Sequence, residues 1–211
     1  MKEIWFVRHA ESEANAGFVS SDPGAIPLTE KGRQQAIAVN KIIPAPPSLI
    51  VFSPYIRTQQ TAQPTLERFS QVKNQKWNIQ EFTFLSPTVC RNTTASQRRP
   101  WVEEYWKRND PFYRHGEGAE SFADLLIRVQ DAFRRIEKEE GDFVLIFSHG
   151  QFMRAFLLSL LVKSFEPTSE LMKKFEFFTQ TLEIPNCGII KLLFDNNEPF
   201  VSGVYSQSIQ E

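Results

Sequence analysis

The sequence predicts a three-layer α/β/α domain built on a mostly parallel central sheet with antiparallel edge strands. Three observations carry this. Apolar strand-type runs alternate with segments of helical periodicity along most of the 211 residues. The runs Leu49–Phe52 and Phe143–Phe147 are apolar at every position, as expected of strands buried on both faces of a parallel sheet. Near the end, Gly188–Phe194 and Phe200–Tyr205 flank Asp195-Asn196-Asn197, a hairpin signal that adds antiparallel strands.

The elements follow in order. Ile4–Val7 reads as the first strand. Thr29 stands as an N-cap before a helix that carries Ala36, Val39 and Ile43 on one face, and the Pro44-Ala45-Pro46-Pro47 segment breaks it. The strand Leu49–Phe52 ends in Ser53-Pro54, and a helix follows to about Ala62. Trp77–Phe82 alternates apolar and polar residues and predicts a third strand. Residues 86–119 break the alternation and read as an insert, partly helical around Trp101–Arg108. Ser121 and Asp124 resemble a capping box for a helix with Phe122, Leu125, Leu126, Val129, Phe133 and Ile136 on one face, stopped at Gly141. The strand Phe143–Phe147 runs into Ser148-His149-Gly150 and an apolar helix.

Composition narrows the function classes. Twenty-four Lys and Arg stand against 25 Asp and Glu, so no general electrostatic attraction to nucleic acid is expected. Cys90 and Cys187 form no CxxC pair, which excludes a disulfide framework or a zinc site and suits a reducing compartment. The opening residues lack a charged-then-apolar leader pattern, and the most apolar stretch, Ala155–Val162, is far too short to span a bilayer. A single cytoplasmic domain over residues 1–211 is therefore expected, with neither nucleic acid nor membrane as partner; the strand-end residues below point to a small phosphorylated substrate. No heptad or apolar stripe marks an interface between copies.

The chemistry gathers at predicted strand ends. The first strand ends at Arg8-His9, the second at Ser53-Pro54-Tyr55-Ile56-Arg57-Thr58, and the fourth at Ser148-His149-Gly150. An Arg-His pair alone is a weak signal. In a parallel sheet, however, those ends share one edge, where ligands of open α/β folds bind. Arg8 and Arg57 supply the bidentate donors that phosphate needs, and helix N-termini such as that at Gly150 add backbone N–H groups. One neutral imidazole can attack phosphorus, and a second can hydrogen-bond an equatorial oxygen as charge spreads in the transition state. A carboxylic acid must protonate the leaving oxygen and later deprotonate water.

These stretches resemble the histidine phosphatase superfamily, the phosphoglycerate mutase-like proteins. The resemblance rests on Arg8-His9-Ala10-Glu11-Ser12-Glu13-Ala14-Asn15, on Leu28 to Ala36, on Ser53 to Ala62 and on Ser148-His149-Gly150, which occur in the family's order. It implies a phosphoglycerate mutase-like fold in which His9 is the nucleophile and Arg8, Arg57 and His149 form the phosphate pocket. Asn15 matches a position that contacts phosphate in relatives, and Glu81, in the context Ile79-Gln80-Glu81, matches the family's proton donor. The family requires no metal or other cofactor. The implied activity is phosphomonoester hydrolysis through a phosphohistidine. Mutase-type phosphoryl transfer and a non-catalytic phospho-ligand-binding module are the alternatives.

Ala10 departs from the glycine more usual after the nucleophile. Glu103, Glu104, Glu117 and Glu120 compete with Glu81 for the acid role. His115 reads as a loop histidine, and Cys90 does not have the spacing of a cysteine-phosphatase loop. The insert places Arg91, Arg98, Arg99, Lys107, Arg108 and Arg114 among Trp101, Tyr105, Trp106, Phe112 and Tyr113. It reads either as a satellite core with a solvated basic face or as a lid whose Arg98 and Arg99 bind the non-reacting part of a substrate.

Overall fold

The computed structural model describes residues 1–19, 22–195 and 198–205. Six strands form one sheet: β1 (Lys2–Arg8), β2 (Leu49–Phe52), β3 (Asn74–Lys76), β4 (Phe143–Ser148), β5 (Ile189–Asp195) and β6 (Glu198–Tyr205). Their spatial order is β3-β2-β4-β1-β5-β6. The first four in that order run parallel, and β5 and β6 are antiparallel to their neighbours. The expected mixed sheet is present. The hairpin strands pair as expected, while its turn residues Asn196 and Asn197 lie outside the described residues.

The helices are α1 (Glu30–Ile42), α2 (Ile56–Arg68), α3 (Pro87–Cys90), α4 (Ala95–Arg108), α5 (Phe122–Lys138), α6 (Gly150–Val162) and α7 (Ser169–Thr181). The period-two alternation of the strands sorts them onto two faces. Trp5, Val7, Ile50, Phe52, Leu145 and Phe147 pack with Ala36, Val39, Ile43 and Ala62 of the α1–α2 layer. Ile4, Phe6, Leu49, Val51, Val144 and Ile146 face the other layer, which includes Leu125, Val129 and Ile136 of α5 and Phe152 and Phe156 of α6. Each such side chain removed from water contributes about 1.5–3 kcal/mol before entropy is counted.

Caps define the helix starts. Thr29 accepts from the Gly32 amide at 2.9 Å, and Ser121 and Asp124 form the reciprocal capping box read from the sequence. A second capping box joins Thr94 to Gln97, and Thr168 caps α7, a helix beyond the expected alternation.

Four expectations change. Trp77–Phe82 is not a strand: β3 is the three-residue segment before it. Trp77, Ile79 and Phe82 are buried, which produces the alternation, but the carbonyls are met by side chains instead of a ladder. Ser148 Oγ donates to the Ile79 carbonyl at 2.7 Å, and Arg128 donates to those of Asn78 and Gln80 at 3.0 and 3.1 Å. The helix expected to end near Ala62 continues through Pro64 to Arg68, whose guanidinium reaches the Ile43 carbonyl at the end of α1. α5 stops at Lys138, before Gly141, through an extended Glu139. The insert is no satellite, since Tyr105 and Trp106 are buried in the main core beside Phe84, Phe122 and Phe175.

Gly32 sits where α1 crosses the loop after β1. A Cβ there would collide with the Glu11 carbonyl oxygen, which already accepts from the Thr29 amide at 3.0 Å. Helix propensity alone would make Gly32→Ala stabilising by about 1 kcal/mol. The backbone clash reverses the sign, and a destabilisation of about 1–3 kcal/mol is expected from denaturant midpoints. An unchanged or raised midpoint would contradict this close approach.

Candidate active site

The register of β1 with β4 sets the centre of the site. Arg8 is level with Ser148, and the His9 amide donates to the Ser148 carbonyl at 2.9 Å. His9 and His149 therefore leave adjacent parallel strands side by side, with ring centroids 5.0 Å apart. Both rings are buried.

Two contacts fix the tautomer of His9. Its Nδ1 lies 2.7 Å from the Ala10 carbonyl, an acceptor, so Nδ1 carries the proton. Its Nε2 accepts the Arg57 Nε–H at 3.2 Å, so Nε2 is the unprotonated nitrogen and its lone pair points at that guanidinium. Burial, and after it the Arg57 and Arg8 guanidiniums, hold the imidazole well below its ordinary value of 6.5. These surroundings favour the neutral ring.

Arg57 enters from α2. Its Nη1 donates to the Pro23 carbonyl at 2.6 Å, and its guanidinium carbon lies 4.8 Å from the Tyr55 ring centroid. Arg8 Nη1 donates to the Ile184 carbonyl at 2.6 Å, and Arg8 Nε is buried with no partner among the described residues. Neither arginine forms a carboxylate ion pair within 4 Å among those residues. Burying cations without direct counter-ions is costly, and a bound anion relieves that cost.

His149 is the N-cap of α6 without capping it by its side chain. Its Nε2 meets Ser53 Oγ at 2.7 Å, and Ser53 Oγ meets Thr58 Oγ1 at 2.8 Å. Its Nδ1 is buried and has no partner among the described residues. Burial, then Arg57 and His9, keep this ring too well below 6.5.

Glu81 reaches the same helix end. Its Oε1 accepts from the Gln151 amide of α6 at 2.9 Å and from the Phe82 amide at 3.1 Å. It lies in the irregular segment after β3, not on the strand expected there. Three of the four competing carboxylates are engaged elsewhere: Glu120 makes a two-pronged pair with Arg128 at 2.7 and 2.8 Å, Glu103 pairs with Arg99, and Glu104 lies 3.9 Å from Arg108. Asn15 braces the β1 loop, its Oδ1 accepting from the Ser12 amide and hydroxyl and from Asn186 Nδ2. Gly150 opens α6, where a Cβ would approach Arg154 and Arg8.

A cavity of about 220 Å³ opens beside these groups, lined in part by Arg57, Glu81, Tyr55 and Arg98. Arg98 and Arg99 part company. Arg98 faces the cavity and donates to the Thr93 carbonyl at 3.1 Å. Arg99, 79% exposed, pairs with Glu103 along the outer face of α4. Cys90 lines the cavity and Cys187 is buried, and both are free thiols. His115 is half-buried, taking the Ser86 amide at 3.4 Å.

Sequence reasoning missed the bracing residues. Ser53 and Thr58 lay inside a motif already quoted, so their polarity beside a buried strand end was the available signal. Asn186, which also donates to the His9 carbonyl at 2.9 Å, comes from the loop before β5 and carried no local signal.

A neutral histidine set between the half-buried Arg8 and the buried Arg57 at the carboxyl edge of a parallel sheet defines an α/β/α protein with a histidine-centred cationic pocket. The chain matches the model of the histidine phosphatase superfamily (branch 1) over residues 4–206, and it belongs to that family. It is 30% identical over 169 residues to 2,3-bisphosphoglycerate-dependent phosphoglycerate mutase 2 of Gloeobacter violaceus, covering 76% of each chain. It is 28% identical over 171 residues to human 6-phosphofructo-2-kinase/fructose-2,6-bisphosphatase 3, covering 78% of this chain but only 31% of that longer protein. Its fold matches the alpha-ribazole phosphatase from Shigella flexneri with a TM-score of 0.75 at 19% identity, over 99% and 98% of the two chains.

The buried histidines link stability to pH with a definite sign. Unfolded histidines bind protons near 6.5, whereas folded His9 and His149 stay neutral well below it. Their contribution is complete above about pH 6.5 and declines as pH falls below it, by at most about 1.4 kcal/mol per pH unit for each ring. Urea unfolding between pH 7 and 5 should show a shallower decline for His9→Gln than for the wild type. Identical slopes would contradict the buried neutral state.

Proposed function

We propose that the protein is a phosphomonoesterase working through a phosphohistidine on His9, with no metal required. The observation that carries this is the fixed tautomer of His9: Nδ1–H on the Ala10 carbonyl, and the Nε2 lone pair held against Arg57. The positive charge that a metal would otherwise supply to a phosphoryl group is available from Arg8 and Arg57.

In the first step the Arg57 Nε–H turns from His9 Nε2 to a phosphoryl oxygen, the freed Nε2 lone pair attacks phosphorus, the N–P bond forms and the ester P–O bond breaks. Glu81 gives its proton to the departing oxygen and becomes a carboxylate. His149, with Ser53 donating to Nε2, offers its Nδ1 proton to an equatorial phosphoryl oxygen, and the α6 N-terminus adds the Gly150 amide. In the second step water attacks phosphorus, its proton passes to Glu81, and the N–P bond breaks to restore His9.

Mutase-type transfer is the second reading, favoured by the similarity to the Gloeobacter mutase. It differs only in the acceptor of the phosphoryl group, and product analysis with 3-phosphoglycerate separates the two.

Rapid quench after mixing with ³²P-labelled p-nitrophenyl phosphate should trap an acid-labile, base-stable label that is absent in His9→Ala, with turnover insensitive to EDTA. Glu81→Gln should slow turnover by about 10²–10⁴-fold. It should accumulate label with this ester, because p-nitrophenolate departs without a proton and only the hydrolytic step loses its base. No label in the wild type, or full label in His9→Ala, rejects the mechanism.

A further inference from the structure

The cavity beside the anion pocket has a chemical character that the catalytic groups do not explain. Its walls are Pro23 and Ile26 from the loop before α1, Phe82, Phe84 and Leu85 from the segment after Glu81, and Val102 from the insert helix. The polar groups on its lining are mostly committed. Arg57 and Glu81 serve the reacting phosphate under the reading above. Tyr55 Oη and Thr83 Oγ1 bond each other at 3.3 Å, and Thr83 Oγ1 also reaches the Glu81 carbonyl. Arg98 gives Nη1 to Thr93, and its remaining guanidinium N–H groups, without a hydrogen-bond partner among the described residues, are the open donors at the cavity edge.

A leaving group rich in hydroxyls, such as a sugar or a glycerate, must exchange water for protein at every hydroxyl. Hydroxyls buried without partners are penalised. This cavity offers few open donors or acceptors and a large apolar wall. Its volume of about 220 Å³ is also instructive. An apolar cavity of about 150 Å³ holds a benzene ring. The space therefore suits a body of one ring, or a branched chain of similar size.

Resting on the phosphomonoesterase reading, we propose that the substrate is a phosphate ester of an apolar alcohol, a ring or branched hydrocarbon of that size, and that Ile26 and Val102 help select it. Arg98 and Val102 are one helical turn apart on α4, so the insert presents a cation at the edge of an apolar wall. The phosphate enters the Arg8–Arg57 pocket, and the hydrocarbon lies against Ile26, Phe84 and Val102.

The test compares esters of primary alcohols, whose leaving groups have similar intrinsic reactivity. The probes are 2-phenylethyl phosphate, cyclohexylmethyl phosphate, ethyl phosphate, glycerol 3-phosphate and glucose 6-phosphate. The two apolar esters should exceed the glycerol and glucose esters in kcat/KM by roughly 10- to 100-fold, the range a hydrophobic pocket provides. Ile26→Gln and Val102→Gln should lower kcat/KM for 2-phenylethyl phosphate at least several-fold more than for ethyl phosphate. Their circular dichroism and thermal midpoints verify that they fold. Equal or greater kcat/KM with the polyol esters, or a uniform loss across all esters in both folded variants, overturns the proposal while phosphohistidine labelling stands. Absence of label and turnover with every ester overturns the phosphomonoesterase reading beneath it.

Discussion

The parallel pairing of β1 with β4 is the constraint on which the site depends. Because the two strands end level, Arg8 beside Ser148, the next residue of each is a histidine at the same edge. A slip of one residue would turn Ile4 and Phe6 toward the α1–α2 layer and move His9 away from His149. The register is held by the core on both faces of the sheet. The same burial that stabilises the fold thus places two imidazoles 5.0 Å apart. β2 continues the edge, bringing Ser53 against His149 and starting the helix that delivers Arg57.

That edge is also where the molecule gives up stability. Arg57 is buried and Arg8 half-buried, with carbonyls and the His9 ring nitrogen as their hydrogen-bonded protein acceptors, and both histidines are held neutral because protonation there would add charge to a low-dielectric, cationic site. Apolar residues in those places would make a more stable sheet edge. Under the proposed phosphomonoesterase reading, a phosphate dianion reverses the balance by supplying the missing counter-charge, so its binding is coupled to the groups that perform the chemistry. Fixed donors need not reorganise as charge develops, which on that reading is the physical basis of transition-state stabilisation.

Much of this was legible in the sequence, because strand ends and caps are local. Leu49–Phe52 announced a buried strand by being apolar throughout, and Thr29 and Ser121 announced helix starts by their side-chain oxygens. What failed was local pattern acting as proxy for long-range bonding. Trp77–Phe82 alternates in burial like a strand, yet its carbonyls are met by Ser148 and Arg128, distant in sequence. The extension of α2 through Pro64 depends on Arg68 reaching the end of α1, which no local pattern displays. In the site, His9, Arg8, Arg57 and His149 were legible as motifs. The braces Ser53 and Asn186 become visible only once the chain is folded, and the divergence of Arg98 and Arg99 needs the helix placed before its two faces can be told apart.

The insert helix shows how one element serves core and cavity together. Tyr105 and Trp106 anchor α4 in the ring cluster around Phe84 and Phe175, and so fix its rotation. With the rotation fixed, Val102 and Arg98 must face the cavity while Arg99 and Glu103 face solvent. On the proposed reading, the residues that discriminate between leaving groups therefore sit on a surface distinct from the sheet edge that takes the phosphate. Changing that surface would then alter the alcohol without disturbing the tautomer of His9 or the pocket of Arg8 and Arg57. Division of labour of this kind, fixed chemistry on strand ends and variable recognition on an inserted helix, is what lets one fold hydrolyse many esters. The tight link between the two parts is Glu81, which follows β3, lines the cavity and is held by the first turn of α6. Its carboxyl group stands between the Arg8–Arg57 pocket and the apolar wall, the place from which, on the proposed reading, a proton can reach the oxygen that joins phosphate and hydrocarbon.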